Sequence, residues 1–142
     1  MGVIFMWYHR ISYNPVKLMN CLFCNLEKER IVIESELFVV VRDRYPISKG
    51  HTLIIPKRHI DSFFKMTSKE YNALQSILKQ AKKNLECEFC PDAYNIGVND
   101  GEFAGQTINH LHIHLIPRYK GDVDDPKGGV RWIFPAKADY WS

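Results

Sequence analysis

An α+β domain built around an antiparallel sheet of about five strands is the fold class this sequence predicts. Three features carry that reading. Short segments rich in β-branched and aromatic residues recur between turn residues, the composition of strands. One long segment, from Thr67 to about residue 90, repeats its apolar residues at helical spacing. From His110 to Leu115, polar and apolar residues alternate, the period of a strand with one buried face.

The elements follow in order. Ile31-Val-Ile-Glu34 reads as a short strand, and Leu37-Phe-Val-Val-Val-Arg42 as a buried one. Asp43 to Gly50 is a loop punctuated by Pro46 and Gly50. His51-Thr-Leu-Ile-Ile55 resumes the sheet, and Pro56 ends it. Thr67-Ser-Lys-Glu70 is a capping box, with Met66 and Tyr71 at the positions of a hydrophobic staple. Tyr71, Leu74, Ile77, Leu78, Ala81 and Leu85 then line one buried helical stripe. Ala93-Tyr-Asn-Ile-Gly-Val98 reads as a strand, residues 99–105 as a turn-rich loop, and residues 108–117 as the last strand. Residues 1–18 read as a flexible N-terminal extension and 19–142 as one domain. Organised sequence begins at Asn20-Cys21, so Met19 is a candidate start.

A chain of 142 residues favours one domain with a real core. A formal charge of +3, part of it from Arg10 and Lys17, is too small to make nucleic acid or an anionic membrane the main partner. No apolar run approaches the roughly 20 residues that cross a bilayer. The first residues lack a basic leader and a long apolar stretch, which makes a poor signal peptide. A cytoplasmic location is the default expectation. The four cysteines form two CxxC pairs, Cys21/Cys24 and Cys87/Cys90, which favours metal or redox use over a disulfide framework.

His110, His112 and His114 carry the strongest chemical signal. In a strand their side chains share one face, and Leu111, Ile113 and Leu115 share the other. A helix would scatter them, because two residues are about 200° of rotation. Imidazole titrates near neutral pH and serves as nucleophile, proton carrier and metal ligand. The alternative is a half-buried strand whose polar face meets water.

On Gly105-Gln-Thr-Ile-Asn-His-Leu-His-Ile-His-Leu-Ile-Pro-Arg118 the sequence resembles the histidine triad hydrolases and transferases. The resemblance takes in Gly50-His51, Pro56-Lys-Arg-His-Ile60 and Asn99-Asp-Gly101, and runs from about Asn20 to the tail. It implies a HIT-like antiparallel sheet with one long helix and a shorter one. It also implies a homodimer whose two sheets continue across the interface. The middle histidine, His112, is implied as the nucleophile toward the α-phosphate of a nucleotide, forming a nucleotidyl-histidine. Covalent catalysis of that kind splits one hard step into two. His114 is placed to bond a phosphate oxygen or the leaving group. Asn99 and Thr107 are implied at the α-phosphate, with Gln106 adding a contact through its side chain or its backbone amide. His51 is implied as a supporting histidine, the alternative being a strand-edge residue. Asp43 is implied at the ribose, the alternative being an ordinary loop acid.

The resemblance also implies a structural zinc ion on Cys21, Cys24, His59 and His110. Two thiolates and two imidazoles suit tetrahedral zinc. Two reduced thiols beside a hydrogen-bonded His110 are the rival reading. Cys87 and Cys90 match no such site and read as two ordinary semi-buried thiols, with redox pairing or adventitious metal as the alternatives. In the tail, Arg118, Lys120 and Arg131 are candidates for distal phosphates and Trp132 for a base or subunit contact. Surface solvation is the alternative for each.

The activity expected is hydrolysis at the α-phosphate of an adenine dinucleoside polyphosphate, releasing a nucleoside monophosphate. The alternatives are a nucleoside phosphoramidate hydrolase, a nucleotidyl transferase, and a nucleotide-binding module with little turnover. Mg²⁺ is expected only as a companion of the substrate phosphates. A zinc-dependent nucleic-acid binder would need a basic face, which the modest charge opposes.

Overall fold

The computed structural model describes residues 20–141. The expected extension, and Met19 as a start, lie outside the described residues. Five strands form one sheet in the order β1-β2-β3-β5-β4. They are β1 (Ile31–Glu34), β2 (Phe38–Arg42), β3 (Thr52–Pro56), β4 (Ala93–Gly97) and β5 (Ile113–Arg118). Every neighbouring pair is antiparallel. One α-helix, α1 (Ser68–Phe89), lies between β3 and β4 in the chain. Among the described residues the shorter helical pieces are 3-10 segments of three to five residues, such as Lys28–Arg30 and Gly129–Ile133.

Helix α1 starts where the sequence says it should. The Thr67 side chain accepts from the Glu70 amide, and Glu70 bonds back to the Thr67 amide, a reciprocal cap. Its buried face consists of Glu70, Leu74, Ile77, Ala81 and Leu85. Glu70 is tolerated there because Arg58 donates to both of its oxygens, at 3.0 and 2.7 Å. Tyr71 is 39% exposed and packs edge-on against Phe63. The helix ends at Cys90 in the left-handed region, φ 49°.

The sheet has two covered faces, which explains the continuous burial of β2 and β3. Under α1, Phe38, Val40, Ile54, Leu111, Ile113 and Leu115 join the helix stripe in the main core. On the opposite face Val39, Val41, Leu53 and Ile55 pack with Phe23, Leu26 and Ile31. Strand β5 sits between β3 and β4, pairing His114 with Leu53 on one side and Gly97 on the other.

One boundary differs from expectation. The last strand begins at Ile113 rather than 108. The His110 amide donates to the Ile108 carbonyl, and the Leu111 amide to that of Ile60. Those bonds engage both amides outside the strand ladder. Face alternation persists across the boundary. Leu111, Ile113 and Leu115 are all within 2% of full burial, and the His112 and His114 rings meet edge-on at 5.1 Å.

Candidate active site and metal centre

The first and second triad histidines are tied together by backbone. His112 Nδ1 lies 2.8 Å from the carbonyl oxygen of His110. A carbonyl only accepts, so Nδ1 carries a proton, and the neutral ring has its lone pair on Nε2. His112 is 93% buried by its neighbours, with 7% remaining exposed, and it lines a cavity of about 690 Å³. Phe23, from inside the first CxxC, stands edge-on to both His112 (5.1 Å) and His110 (5.9 Å).

A second chain of bonds orients His114. Its Nδ1 is 2.9 Å from His51 Nε2, and the Ile47 amide approaches His51 Nδ1 at 3.4 Å. Read as a network, the amide donates to His51, His51 Nε2–H donates to His114, and His114 keeps its proton on Nε2. That Nε2 is buried with no hydrogen-bond partner, an uncommon state for a polar atom. Burial, and then His112 and His51, push the His114 pKa down to about 4. Burial also lowers that of His51, partly opposed by Asp43. Asp43 Oδ2 stands 3.6 Å from His51 Nδ1, while its Oδ1 accepts from the Tyr45 amide at 2.8 Å.

Asp43, Asn99, Thr107, His51, His112 and His114 all line the one cavity. Gln106 does not. Its amide side chain accepts from the Gly101 amide and donates to the carbonyls of Asp61 and Ile108. This side chain braces the loop, and the Gln106 backbone amide donates to the Gly101 carbonyl at 3.1 Å, so both candidate contacts are engaged within the loop. Sequence reasoning overlooked Phe23, and Leu53 and Ile108 on the cavity wall. The position of Phe23 within the cysteine pair was the available signal.

Behind the triad, Cys21, Cys24, His59 and His110 bring one donor atom each within 4.8 Å of one another. Cys24 Sγ is 3.2 Å from His59 Nδ1 and 3.5 Å from His110 Nδ1. Cys21 Sγ is 3.4 Å from His110 Nδ1, and the two Nδ1 atoms are 3.2 Å apart. Tetrahedral zinc with bonds of about 2.0–2.3 Å places its ligands roughly 3.3–3.8 Å apart, so these residues fit the ion. His110 Nε2 donates to the Pro56 carbonyl at 2.8 Å, which frees Nδ1 for the metal, as outer partners of ligating histidines do. Burial and the adjacent Cys21 push the Cys24 thiol up to about 12, and burial pushes His110 down to about 4. Cys87 and Cys90 are exposed free thiols.

The two tail arginines are engaged elsewhere. Arg118 grips both oxygens of Asp122, at 2.7 and 2.8 Å, and Asn95 at 2.7 Å. Arg131 donates to the carbonyls of Ala138 and Lys137.

Comparison with known proteins gives a consistent picture. A family model described as the HIT domain matches residues 26–121. An uncharacterized HIT-like protein of Methanocaldococcus jannaschii is 39% identical, over 77% of this chain and 87% of that protein. From Schizosaccharomyces pombe, an adenosine 5′-monophosphoramidase is 32% identical over 70% of this chain and 75% of its own. An asymmetrical bis(5′-nucleosyl)-tetraphosphatase of that yeast is 39% identical, over 56% of this chain and 44% of its own. A zinc-bound histidine triad family protein of Mycobacterium smegmatis superposes with a TM-score of 0.65 at 32% identity, covering 74% of this chain and 79% of that one.

Proposed function

Because the chain belongs to the HIT domain family, we propose that it is a nucleotide hydrolase acting at the α-phosphate through a covalent bond to His112. The observation that carries this reading is the 2.8 Å bond from His112 Nδ1 to the His110 carbonyl. It fixes the neutral ring in the tautomer whose Nε2 carries the lone pair that attack at phosphorus requires.

The remaining roles follow from what phosphoryl transfer needs, which is positioning and stabilisation of charge. Asn99 and Thr107 hold the α-phosphate oxygens. Asp43 accepts the ribose hydroxyls. His114, aimed by His51, offers its buried Nε2–H to the leaving atom. Water then attacks the nucleotidyl-histidine and frees a nucleoside monophosphate. Cys21, Cys24, His59 and His110 hold a structural zinc ion that fixes the N-terminal segment against the triad and takes no part in bond breaking. Mg²⁺ enters, if at all, with the substrate. The reading includes a homodimer, for which β1 and β4 are the available sheet edges.

Among leaving groups, a dinucleoside polyphosphate and a phosphoramidate share this nucleophile. Names of the two yeast relatives span both chemistries. The test is His112→Asn with an adenosine phosphoramidate and with diadenosine tetraphosphate. Turnover should vanish while adenosine monophosphate still binds, and alkaline quench of the wild type should trap nucleotide on His112. Activity within about tenfold of wild type, only ~1.4 kcal/mol of barrier, would remove the nucleophile assignment. Tight monophosphate binding with no adduct would instead favour a binding module.

A further inference from the structure

We infer that Cys87 and Cys90 are a reversible modification site, a thiol pair that closes to a disulfide and thereby shifts the loop carrying His51. The effect on turnover rests on the hydrolase reading above. Closure of the pair and movement of the loop do not.

The two CxxC pairs differ in kind. Cys21 is buried, Cys24 is half-buried, and both converge with His59 and His110. Cys87 and Cys90 are exposed and free. Among the described residues they belong to no metal-binding cluster. Thiol oxidation follows access, so an oxidant in solvent meets the second pair first.

Backbone geometry suits closure. Cys87 lies in the last turn of α1, and Cys90 follows Phe89, its final residue. The helical residues between them set their Cα atoms about 5 Å apart, inside the roughly 4.4–6.8 Å span of disulfides. In a regular helix the Cβ atoms of such a pair stay about 5–6 Å apart, beyond the roughly 3.5–4.5 Å a disulfide needs. Cys90 stands outside that regular geometry. Its backbone is left-handed, φ 49°, and its amide holds the Glu86 carbonyl at 3.2 Å at the very end of the helix. Closing the pair therefore moves the terminal turn and leaves the body of α1 in place.

Electrostatics favour keeping the disulfide once it has formed. CxxC pairs that hand their disulfide on stabilise a thiolate with a helix N-terminus or nearby cations. This pair sits at a helix C-terminus, the negative end of the dipole, and Glu86 and Glu88 flank Cys87 in the chain. The reduced form gains no such stabilisation, so the site retains an oxidation instead of passing it to other proteins.

Phe89 links the pair to the catalytic cavity. Its ring packs on the main core and so closely on Gly50 that a Cβ there would lie 2.8 Å from it. The Arg42 guanidinium and the Lys49 ammonium stand 5.3 and 5.5 Å from the ring centre. Arg42 also donates to Asn84 and Glu88, which fastens the end of α1 to β2. The residue after Gly50 is His51, whose Nε2 lies 2.9 Å from His114 Nδ1. Closing the terminal turn pulls on Phe89, and Phe89 bears directly on the backbone that sets His51.

The step balances. One cysteine thiolate attacks a sulfur of a small-molecule disulfide such as oxidised glutathione, whose S–S bond breaks and releases a thiolate. The second cysteine thiolate attacks the mixed disulfide and releases the other. Two electrons pass from the protein dithiol to the small disulfide, and the two cysteine protons end on two glutathione thiols.

The experiment places the zinc-loaded full chain in glutathione redox buffers and counts free thiols by mass after N-ethylmaleimide. In reduced native protein Cys87 and Cys90 should both react with the reagent. Oxidation should protect both, with no glutathione retained and zinc content unchanged. Cys87→Ser and Cys90→Ser should each hold one glutathione instead. Amide resonances of Gly50 and His51 should move on oxidation of the wild type and stay in place in the double variant. In the wild type, kcat for adenosine 5′-phosphoramidate should fall by about tenfold or more, part of the acid–base contribution of His114. KM should change little, dithiothreitol should restore the rate, and the double variant should be indifferent to oxidant. Thiols that resist the reagent in native protein, stable double glutathione adducts, or a disulfide that leaves Gly50 and His51 unmoved would overturn the inference. So would unchanged turnover in active, oxidised protein. A disulfide that moves Gly50 and His51 in a protein without any turnover would uphold the site and remove the hydrolase reading alone.

Discussion

His51 Nε2 stands 2.9 Å from His114 Nδ1, and this contact decides which face of the His114 ring carries the proton. With His51 as the donor, His114 carries its proton on Nε2, the buried atom with no hydrogen-bond partner. His51→Phe keeps a ring of similar shape but removes the donor. We expect kcat to fall by on the order of a hundredfold, the usual scale of a lost acid–base contribution, with little change in KM. A loss confined to KM would show that His51 only shapes the cavity.

The low pKa of His114, about 4, has a stability consequence with a definite sign. An unfolded histidine takes a proton near pH 6.5, which native His114 resists. The unfolded state therefore binds more protons between these values, and stability drains away as pH falls from about 6.5 toward 4. Denaturant midpoints at pH 7 and 4.5 should show a larger loss for the wild type than for His114→Asn. We expect the difference to be about 1–2 kcal/mol once partial exposure is discounted. Equal losses would contradict the assignment.

Cys21→Ala removes one of four converging donors. Bound zinc should drop sharply in elemental analysis, and Tm should fall, because metal held only by the folded state is folding energy. Chemistry in the surviving folded fraction should persist. Undiminished zinc in this variant would strike Cys21 from the ligand set.

Glu70 joins the helix cap to Arg58. Glu70→Ala should cost about 1–3 kcal/mol, combining a lost cap with an orphaned guanidinium. Arg58, together with burial-resisting bonds from Thr67, holds the carboxyl down to about 2. Its contribution is therefore complete above about pH 4.5 and lost as pH drops through 2. Urea titrations of both proteins at pH 7 and 2.5 should converge at the acid end.

Gly50 precedes His51 at φ +83°, and a Cβ there would lie 2.8 Å from Phe89 and 2.9 Å from Leu85. Gly50→Ala should cost about 1–3 kcal/mol, since positive φ and crowding both oppose it. It should also depress kcat through displacement of His51. A fully active, equally stable variant would show that α1 does not position this loop.

Much of this was legible in the sequence because it is local. Periodicity in residues 67–90 located α1 and its cap, and β-branched runs located β1 to β3. The alternation around His112 correctly separated a core face from a chemical face, even though the ladder starts only at Ile113. What escaped depends on distant partners. Nothing near Leu111 reveals that the Ile60 carbonyl takes its amide. Burial of Glu70 requires Arg58 from another segment. Tail arginines look like phosphate ligands until Asp122 and the Ala138 carbonyl are seen to occupy them. Gln106 similarly looks available until its loop contacts appear.

His110 touches three partners through three atoms: the sulfur-rich quartet by Nδ1, Pro56 by Nε2 and His112 by its carbonyl. If zinc sits there, a chelator would slacken the strut beneath the nucleophile without ever approaching a phosphate. Inhibition by such an agent would imitate a metalloenzyme, with a slow onset paced by loosening of the scaffold. Titrating the chelator against residual structure, not against rate alone, tells the two situations apart.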